Sequence, residues 1–263
     1  MLSKLLGRSR VAAAARPMAP EGIRIYAIGD VHGCDRELAA LLATIDADDA
    51  ARGSARTIIV FLGDLIDRGP DSAAVVERVH RRMAARPDTR LIAGNHEEVL
   101  LLGLNGSLQA MRLFLQIGGR ETLLSYGLSE ADCDEGSMRE LIDTARARIP
   151  ADHVALMARG EAVIVLGDYA FVHAGIKPRV PLERQALSDL RWIRDGFLDD
   201  ATRHDKYIVH GHTITEEVDV RANRMGVDTG AFRSGRLSAA AFEGGDFWTL
   251  EAGAGAARTY PAA

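Results

Sequence analysis

Gly63-Asp64-Leu65-Ile66-Asp67-Arg68-Gly69 closes an apolar run at residues 57–62, and a helix-patterned segment at 71–85 follows it. Two further blocks hold the same place in the chain. Gly29-Asp30-Val31-His32-Gly33 ends the β-rich run 23–28 and precedes Leu38, Leu41, Leu42 and Ile45 at helical spacing. Gly94-Asn95-His96-Glu97 ends the run 90–93 and opens a helix over 98–104. Asp71 or Ser72 is placed to cap the middle helix. Strands alternating with helices in this way predict an α/β fold whose functional side chains sit at the carboxyl ends of the strands.

Beyond these units, residues 105–160 lack strand patterning and read as short helices broken at Gly118-Gly119, Gly127 and Pro150. This stretch is expected to form a helical lobe that walls the site. Short strands are then predicted at 162–166, 169–173, 207–210, 225–228, 236–243 and 247–251, as a second sheet packed on the first. The expected organisation is a flexible basic tail at 1–20, one domain at 21–252 with its helical lobe, and a small-residue tail at 253–263. Glycines 253 and 255 lack the strand-to-helix context of a dinucleotide loop.

At 263 residues, 47% hydrophobic and 26% charged, the chain can bury a substantial core. Its net charge of -5 gives no overall electrostatic reason to bind nucleic acid, so no stable nucleic-acid complex is expected and an anionic substrate must be held locally. Cys34 and Cys133 are far apart, which suggests neither a disulfide framework nor a structural zinc site and points to the cytoplasm. Lys4, Arg8, Arg10 and Arg16 surround an apolar run at 11–15 that is too short for a signal-peptide core or a membrane span.

The three strand-end blocks supply what a catalytic pair of metal ions needs: nitrogen and oxygen donors, a carboxylate able to bridge, and room for water and substrate. Asp30 and His32 flank one residue on a turn and can bend toward one ion. Asp64 ends the neighbouring strand and is the natural bridge. Asn95 offers an amide oxygen, and a histidine from each of two later strands, His173 and one of His210 and His212, can complete the second ion; spacing alone leaves the choice within that pair open. The mixed donor set points to Mn first, with Fe, Zn, Co or Ni as alternatives, over Ca or Mg. His80, His153 and His204 lie in helical or polar segments and read as surface or packing residues.

These blocks resemble the metallophosphoesterase superfamily and, within it, the serine/threonine-type phosphoprotein phosphatases of bacteria and bacteriophages. The resemblance runs from about Ile25 to Asp228 and includes His173-Ala174-Gly175, Trp192-Ile193-Arg194, Gly211-His212-Thr213 and Asp228-Thr229-Gly230. It implies a calcineurin-like β-sandwich of two mixed sheets flanked by helices. It also implies one ion on Asp30, His32 and Asp64 and another on Asp64, Asn95, His173 and His212. Arg68 and Arg194 are implied to bind phosphate, with Arg194 favoured over Arg191, and His96 is implied to act as general acid, its ring oriented by Asp67. The implied reaction is direct attack on phosphorus by a hydroxide bridging the ions, on a phosphorylated protein or small phosphoester.

A second group, the symmetrical diadenosine tetraphosphate hydrolases, has a very similar first block, including the Cys after Gly33. Asp67, and Glu97 after His96, set this chain apart from that group and favour the monoesterase as the leading expectation. The alternative is a dinucleoside polyphosphate or RNA-cap pyrophosphohydrolase on the same residues, with Arg112, Arg120 and Tyr126 of the lobe as candidates to hold a base or extra phosphates. Cys34 lacks the phosphate cradle and Arg of a thiol phosphatase, so no covalent phosphoenzyme is expected. A binding module on a decayed scaffold would not need His96.

Overall fold

The computed structural model describes residues 16–253. The strands are β1 (Ile23–Ile28), β2 (Arg56–Phe61), β3 (Thr89–Leu91), β4 (Ile164–Leu166), β5 (Tyr169–Phe171), β6 (Tyr207–His210), β7 (Asp219–Val220), β8 (Arg224–Gly226), β9 (Arg236–Glu243) and β10 (Asp246–Gly253). The helices are α1 (Asp35–Ala51), α2 (Ser72–Ala85), α3 (Asn95–Leu104), α4 (Leu108–Phe114), α5 (Arg120–Ser125), α6 (Glu130–Asp134), α7 (Met138–Arg148), α8 (Ala151–Ala158), α9 (Leu187–Trp192) and α10 (Ala231–Ser234).

Two mixed five-stranded sheets form a sandwich, in the orders β10-β9-β1-β2-β3 and β4-β5-β6-β8-β7. β1, β2 and β3 run parallel, as the alternating strand–helix pattern requires. Their apolar runs are continuous because both faces are covered. Ile25, Ala27, Ile58 and Val60 point into the sandwich with Phe171, Val209 and Phe242, while Tyr26, Ile28, Ile59 and Phe61 pack under the helices with Leu38, Leu41 and Val75. The expected second sheet is therefore correct for β4, β5, β6 and β8 only, and it also holds the short β7, which was not expected. β9 and β10 return to the first sheet, where β9 lies antiparallel to β1 and its small Ala239, Ala240 and Ala241 are buried. Strand periodicity carries no information about which sheet a strand joins, and this is where the sequence reading erred.

Helices α4 to α8 form the expected lobe, with a π-helical turn at Leu115–Gly119 between α4 and α5. The lobe leaves the sandwich after β3 and returns beside it: Glu161 pairs with Ile92, its amide donates to Leu91 O at 2.8 Å, and the Arg90 guanidinium pairs with its carboxylate. Residues just before 21 are packed on the sandwich. Ala19 is buried and donates to Gly244 O at 2.8 Å, and Pro17 O accepts from the Tyr169 hydroxyl, because this segment covers the end of the sandwich. At the other end β10 includes Gly253, and the remainder of both expected tails lies outside the described residues. No helix among the described residues is long and apolar enough to cross a membrane.

Arg24 fastens β1 to its neighbours from the helical side. Its buried guanidinium pairs with Asp49 of α1 at 2.8 Å and Glu243 of β9 at 2.9 Å, and donates to Arg52 O. Removing the cation leaves two partly buried acids and several carbonyls without their donor. Arg24→Leu is expected to lower unfolding free energy by about 2–4 kcal/mol, read as a fall in the urea midpoint at unchanged slope; a shift equivalent to under about 0.5 kcal/mol would class the cluster as surface-like.

Candidate metal centre

The parallel strands deliver their carboxyl ends to one edge of the sandwich. Asp30 and His32 follow β1, Asp64 follows β2, His173 follows β5 and His212 follows β6. Asn95 and His96 follow β3, but the helix begins at Asn95, not at the expected residue 98, so both side chains sit in its first turn. The reason is Glu97, whose carboxylate accepts from Gly94 N at 3.0 Å and so caps the helix three residues early.

Six non-glycine residues among those described have positive φ, and five of them are His32, Asp64, Asp67, Arg68 and His212. Each such residue costs of order 1–3 kcal/mol and persists only where its surroundings fix it. The turns after β1, β2 and β6 are thus strained where they present these side chains.

Two buried groups result, His32–Asp64–His96 and Asp64–His173–His212, with one candidate ligand atom per residue lying within 4.8 Å of the others in each. Asp64 belongs to both. Its Oδ2 lies 3.3 Å from His173 Nε2, 3.7 Å from His32 Nε2 and 3.8 Å from His96 Nε2. Burial pushes this carboxyl upward, but the three imidazoles outweigh it and hold Asp64 well below the usual carboxylate range. Asp30 goes the other way, raised by burial and by the carboxylates of Asp228 and Asp64.

The His32 and His173 rings are turned by backbone. Nδ1 of His32 donates to Ile66 O at 2.7 Å and Nδ1 of His173 to Leu62 O at 2.8 Å, since a carbonyl can only accept. Both Nε2 atoms therefore face the Asp64 carboxylate. Asn95 Oδ1 lies 2.9 Å from His173 Nε2, and His212 packs edge-on to the His173 ring. Burial lowers His32 to about 3 and His212 to about 2, so both rings are neutral donors at pH 7. His212 Nε2, Asp30 Oδ1 and Asp228 Oδ2 are buried without a hydrogen-bond partner. Orphaned lone pairs beside a buried carboxylate are the need that a divalent cation meets, and the donor set of imidazole, carboxylate and amide suits one.

His210 is turned away: its Nε2 meets Arg224 Nη1 at 3.3 Å and its ring packs on Phe197. The geometry thus answers what spacing left open, bringing His212 and not His210 to the other donors. His96 Nδ1 and Asp67 Oδ2 are 2.5 Å apart, both buried. Arg68 stands over this pair, its guanidinium 3.1 Å from His96 Nε2 and 3.0 Å from His32 Nε2. Arg194 is exposed and donates to His212 O at 3.1 Å, whereas Arg191 is taken up by Glu98 at 2.6 Å. Burial lifts the Cys34 thiol to about 12, consistent with a thiol that does no chemistry.

A family profile described as calcineurin-like phosphoesterase matches residues 23–230. The chain belongs to that family. Among curated relatives of this phosphoesterase, a symmetrical bis(5'-nucleosyl)-tetraphosphatase of Cellvibrio japonicus is 32% identical over 65% of this chain and 51% of its own length. An asymmetrical bis(5'-nucleosyl)-tetraphosphatase, PrpE, of Oceanobacillus iheyensis is 26% identical over 86% of this chain and 91% of its own. The chain spans about half the length or less of several symmetrical relatives that it matches. A crystal structure of a putative diadenosine tetraphosphatase superposes with a TM-score of 0.62 at 21% identity, covering 92% of this chain and all of that one, which supports the two-sheet fold. These relatives carry tetraphosphatase names and not the serine/threonine phosphatase name that led the sequence reading.

Membership in the phosphoesterase family implies divalent metal ions, and the two Asp64-centred groups fit them. Sequence reasoning missed two residues. Glu97 accepts from Asp64 N at 2.9 Å and Leu65 N at 2.7 Å in addition to Gly94 N, bracing the turn that presents Asp64. Burial and the nearby Asp64 carboxylate push it up to about 7. The signal was available as an acid three residues into a helix that starts at a glycine. Asp228, after β8, holds Gly230 N through Oδ1 and keeps Oδ2 free; the resemblance included its Asp228-Thr229-Gly230 motif but gave it no role. Arg120 and Tyr126 do not face the site: Arg120 pairs with Glu130 and Asp134, and the Tyr126 hydroxyl meets His153 at 2.9 Å.

Gly211 tests the Asp30 placement, because a Cβ there would lie 2.1 Å from Asp30 Oδ1. Gly211→Ala is expected to displace that carboxylate and weaken one metal at least about tenfold, the scale of losses on disturbing ligand orientation. Calorimetric titration with Mn should show one tight and one weakened site; two unweakened sites would detach Asp30 from metal binding.

Proposed function

We propose that this phosphoesterase hydrolyses dinucleoside polyphosphates at a dinuclear site built on Asp64. The observation that carries the chemistry is the sharing of one buried carboxylate by two donor groups. The substrate class is supported by the relatives named as tetraphosphatases, over part or most of this chain. In this reading Asp30, His32 and Asp64 hold one cation, and Asp64, Asn95, His173 and His212 hold the other, with Mn the first choice. When bound, such a pair supplies Lewis acidity toward phosphoryl oxygens and an activated water.

The chain's own residues do the rest. Arg68 can grip a phosphoryl group through two parallel donors, as lysine could not, and Arg194 can meet a second oxygen from the His212 side. His96, held by Asp67, hands a proton from Nε2 to the departing oxygen. Burial lowers His96, but Asp64 and Asp67 outweigh that and raise it, as suits a group that must be protonated near neutrality. Residues 17–253 then act as one domain, and the two free cysteines suit the cytoplasm.

A second reading, the serine/threonine-type phosphomonoesterase, is favoured by one observation. The Asp67–His96 pair is intact, and an alkoxide leaving group needs an acid far more than a nucleotide phosphate does. Turnover of diadenosine tetraphosphate, a phosphoserine peptide and para-nitrophenyl phosphate by the Mn-loaded protein separates the two. The dinucleotide is expected to lead in kcat/KM by at least about tenfold, or about 1.4 kcal/mol of transition-state stabilisation; a lead for the peptide would overturn this reading. Two ADP as products mark symmetrical cleavage, and ATP with AMP asymmetrical cleavage.

Asp64→Asn is expected to cost both ions together, measured by metal analysis after dialysis. Retention of two ions at wild-type affinity would remove Asp64 as the shared ligand.

A further inference from the structure

The turn Asp67-Arg68 meets the helical lobe through two consecutive strained residues. Both residues are left-handed, with φ of 76° and 67°. Their amides are anchored in the lobe: Arg68 N donates to Gly118 O at 2.9 Å in the π-helical turn, and Asp67 N donates to Thr122 Oγ1 at 2.8 Å. Gly118 itself has a φ of 109°, and a Cβ on it would lie 2.8 Å from Arg68 Cγ, so the turn presses directly on that arginine.

Thr122 makes the decisive contacts. It is completely buried, and its hydroxyl lies 2.6 Å from Asp67 Oδ1. A hydroxyl has one proton, and the carboxylate is the strongest acceptor within reach, so Thr122 donates there while its oxygen accepts from Asp67 N. Ser72 Oγ, 3.0 Å away, accepts a share of the same amide. Asp67 is thus gripped at both ends, Oδ1 by Thr122 and Oδ2 by His96 Nδ1.

We propose that Thr122 is a positioning residue for the general acid: through Asp67 it fixes the orientation of the His96 ring, so the lobe sets acid geometry as well as walling the site. This rests on the acid role given to His96 above. Rotation of the Asp67 carboxylate after loss of the hydroxyl would let the ring swing and take Nε2 off the line to the leaving oxygen. Leaving groups that need a proton should suffer and those that do not should be spared.

Four variants of the full, Mn-loaded chain test this: Thr122→Val, Thr122→Ser, Thr122→Cys and His96→Asn. Each is assayed on phenyl phosphate, a poor leaving group, and para-nitrophenyl phosphate, a good one. Thr122→Val should lower kcat on phenyl phosphate about 10- to 100-fold, part of the 10²- to 10⁴-fold worth of general acid catalysis. Its kcat on para-nitrophenyl phosphate should fall less than about threefold, with both KM values and metal content unchanged. Thr122→Ser should restore the loss, and Thr122→Cys, a weaker donor of similar size, should fall between and serves if the Val variant does not fold. If His96→Asn shows the steep leaving-group loss and the Thr122 variants do not, the positioning role is overturned and the acid role stands. If His96→Asn shows none, the acid reading fails and this inference with it.

Discussion

One buried negative charge organises this molecule. Asp64 has almost no contact with water, and a lone carboxylate in that environment would carry a prohibitive desolvation cost. Three imidazoles within 3.8 Å of it, and the His96 amide that donates to its Oδ1 at 3.1 Å, make the site possible. Those imidazoles come from three different turns after three different strands. Strand order, register and the angle between the sheets are therefore all constrained by where they must deliver side chains. The neutral state of His32 and His212 shows the same economy, since a further cation among buried groups would be as costly as an unpaired anion.

Rigid packing beneath the site makes the strain above it tolerable. The apolar faces of β1 and β2 are covered on both sides, and the left-handed His32, Asp64, Asp67 and Arg68 sit in the turns beyond them. Each strained turn is tied by a specific hydrogen bond: His32 N and Val31 N to Asp64 O, Arg68 N to Gly118 O, and His212 N to Asp30 Oδ2. The turns hold one another as much as the strands hold them. Distortion in one is accordingly transmitted to its neighbour's donor atoms.

Local chemistry was legible in the sequence, and long-range partnership was not. Asp30, His32, Asp64, Asn95 and His173 could be picked out because metal-ligand residue types recurred at strand ends, His212 was preferred to His210 only through the family resemblance, and the structure brings all six together. Asp67 and His96 were found by resemblance and meet at 2.5 Å. The return of β9 to the first sheet went unread, because the pattern of Ala239 to Ala241 is equally compatible with either sheet. Glu97 and Asp228 were underestimated for a related reason. Their importance lies in amides and carboxylates contributed by other segments, and a string of residues does not print those distances. Arg120 and Tyr126 show the converse error, polar side chains that looked available and are spent within the lobe.

The lobe's attachment has an evolutionary reading. It leaves and rejoins the sandwich beside a single strand, where Glu161 pairs with Ile92, so its two ends are already held together by the scaffold. A segment closed at its base in this way can lengthen, shorten or be replaced at little entropic cost and without moving any strand register. Relatives sharing the metal-bearing strands can therefore diversify by exchanging the insert. In this chain the exchange would carry an obligation, because the insert offers a hydroxyl to Asp67 and a carbonyl to Arg68. Modularity here stops at two hydrogen bonds.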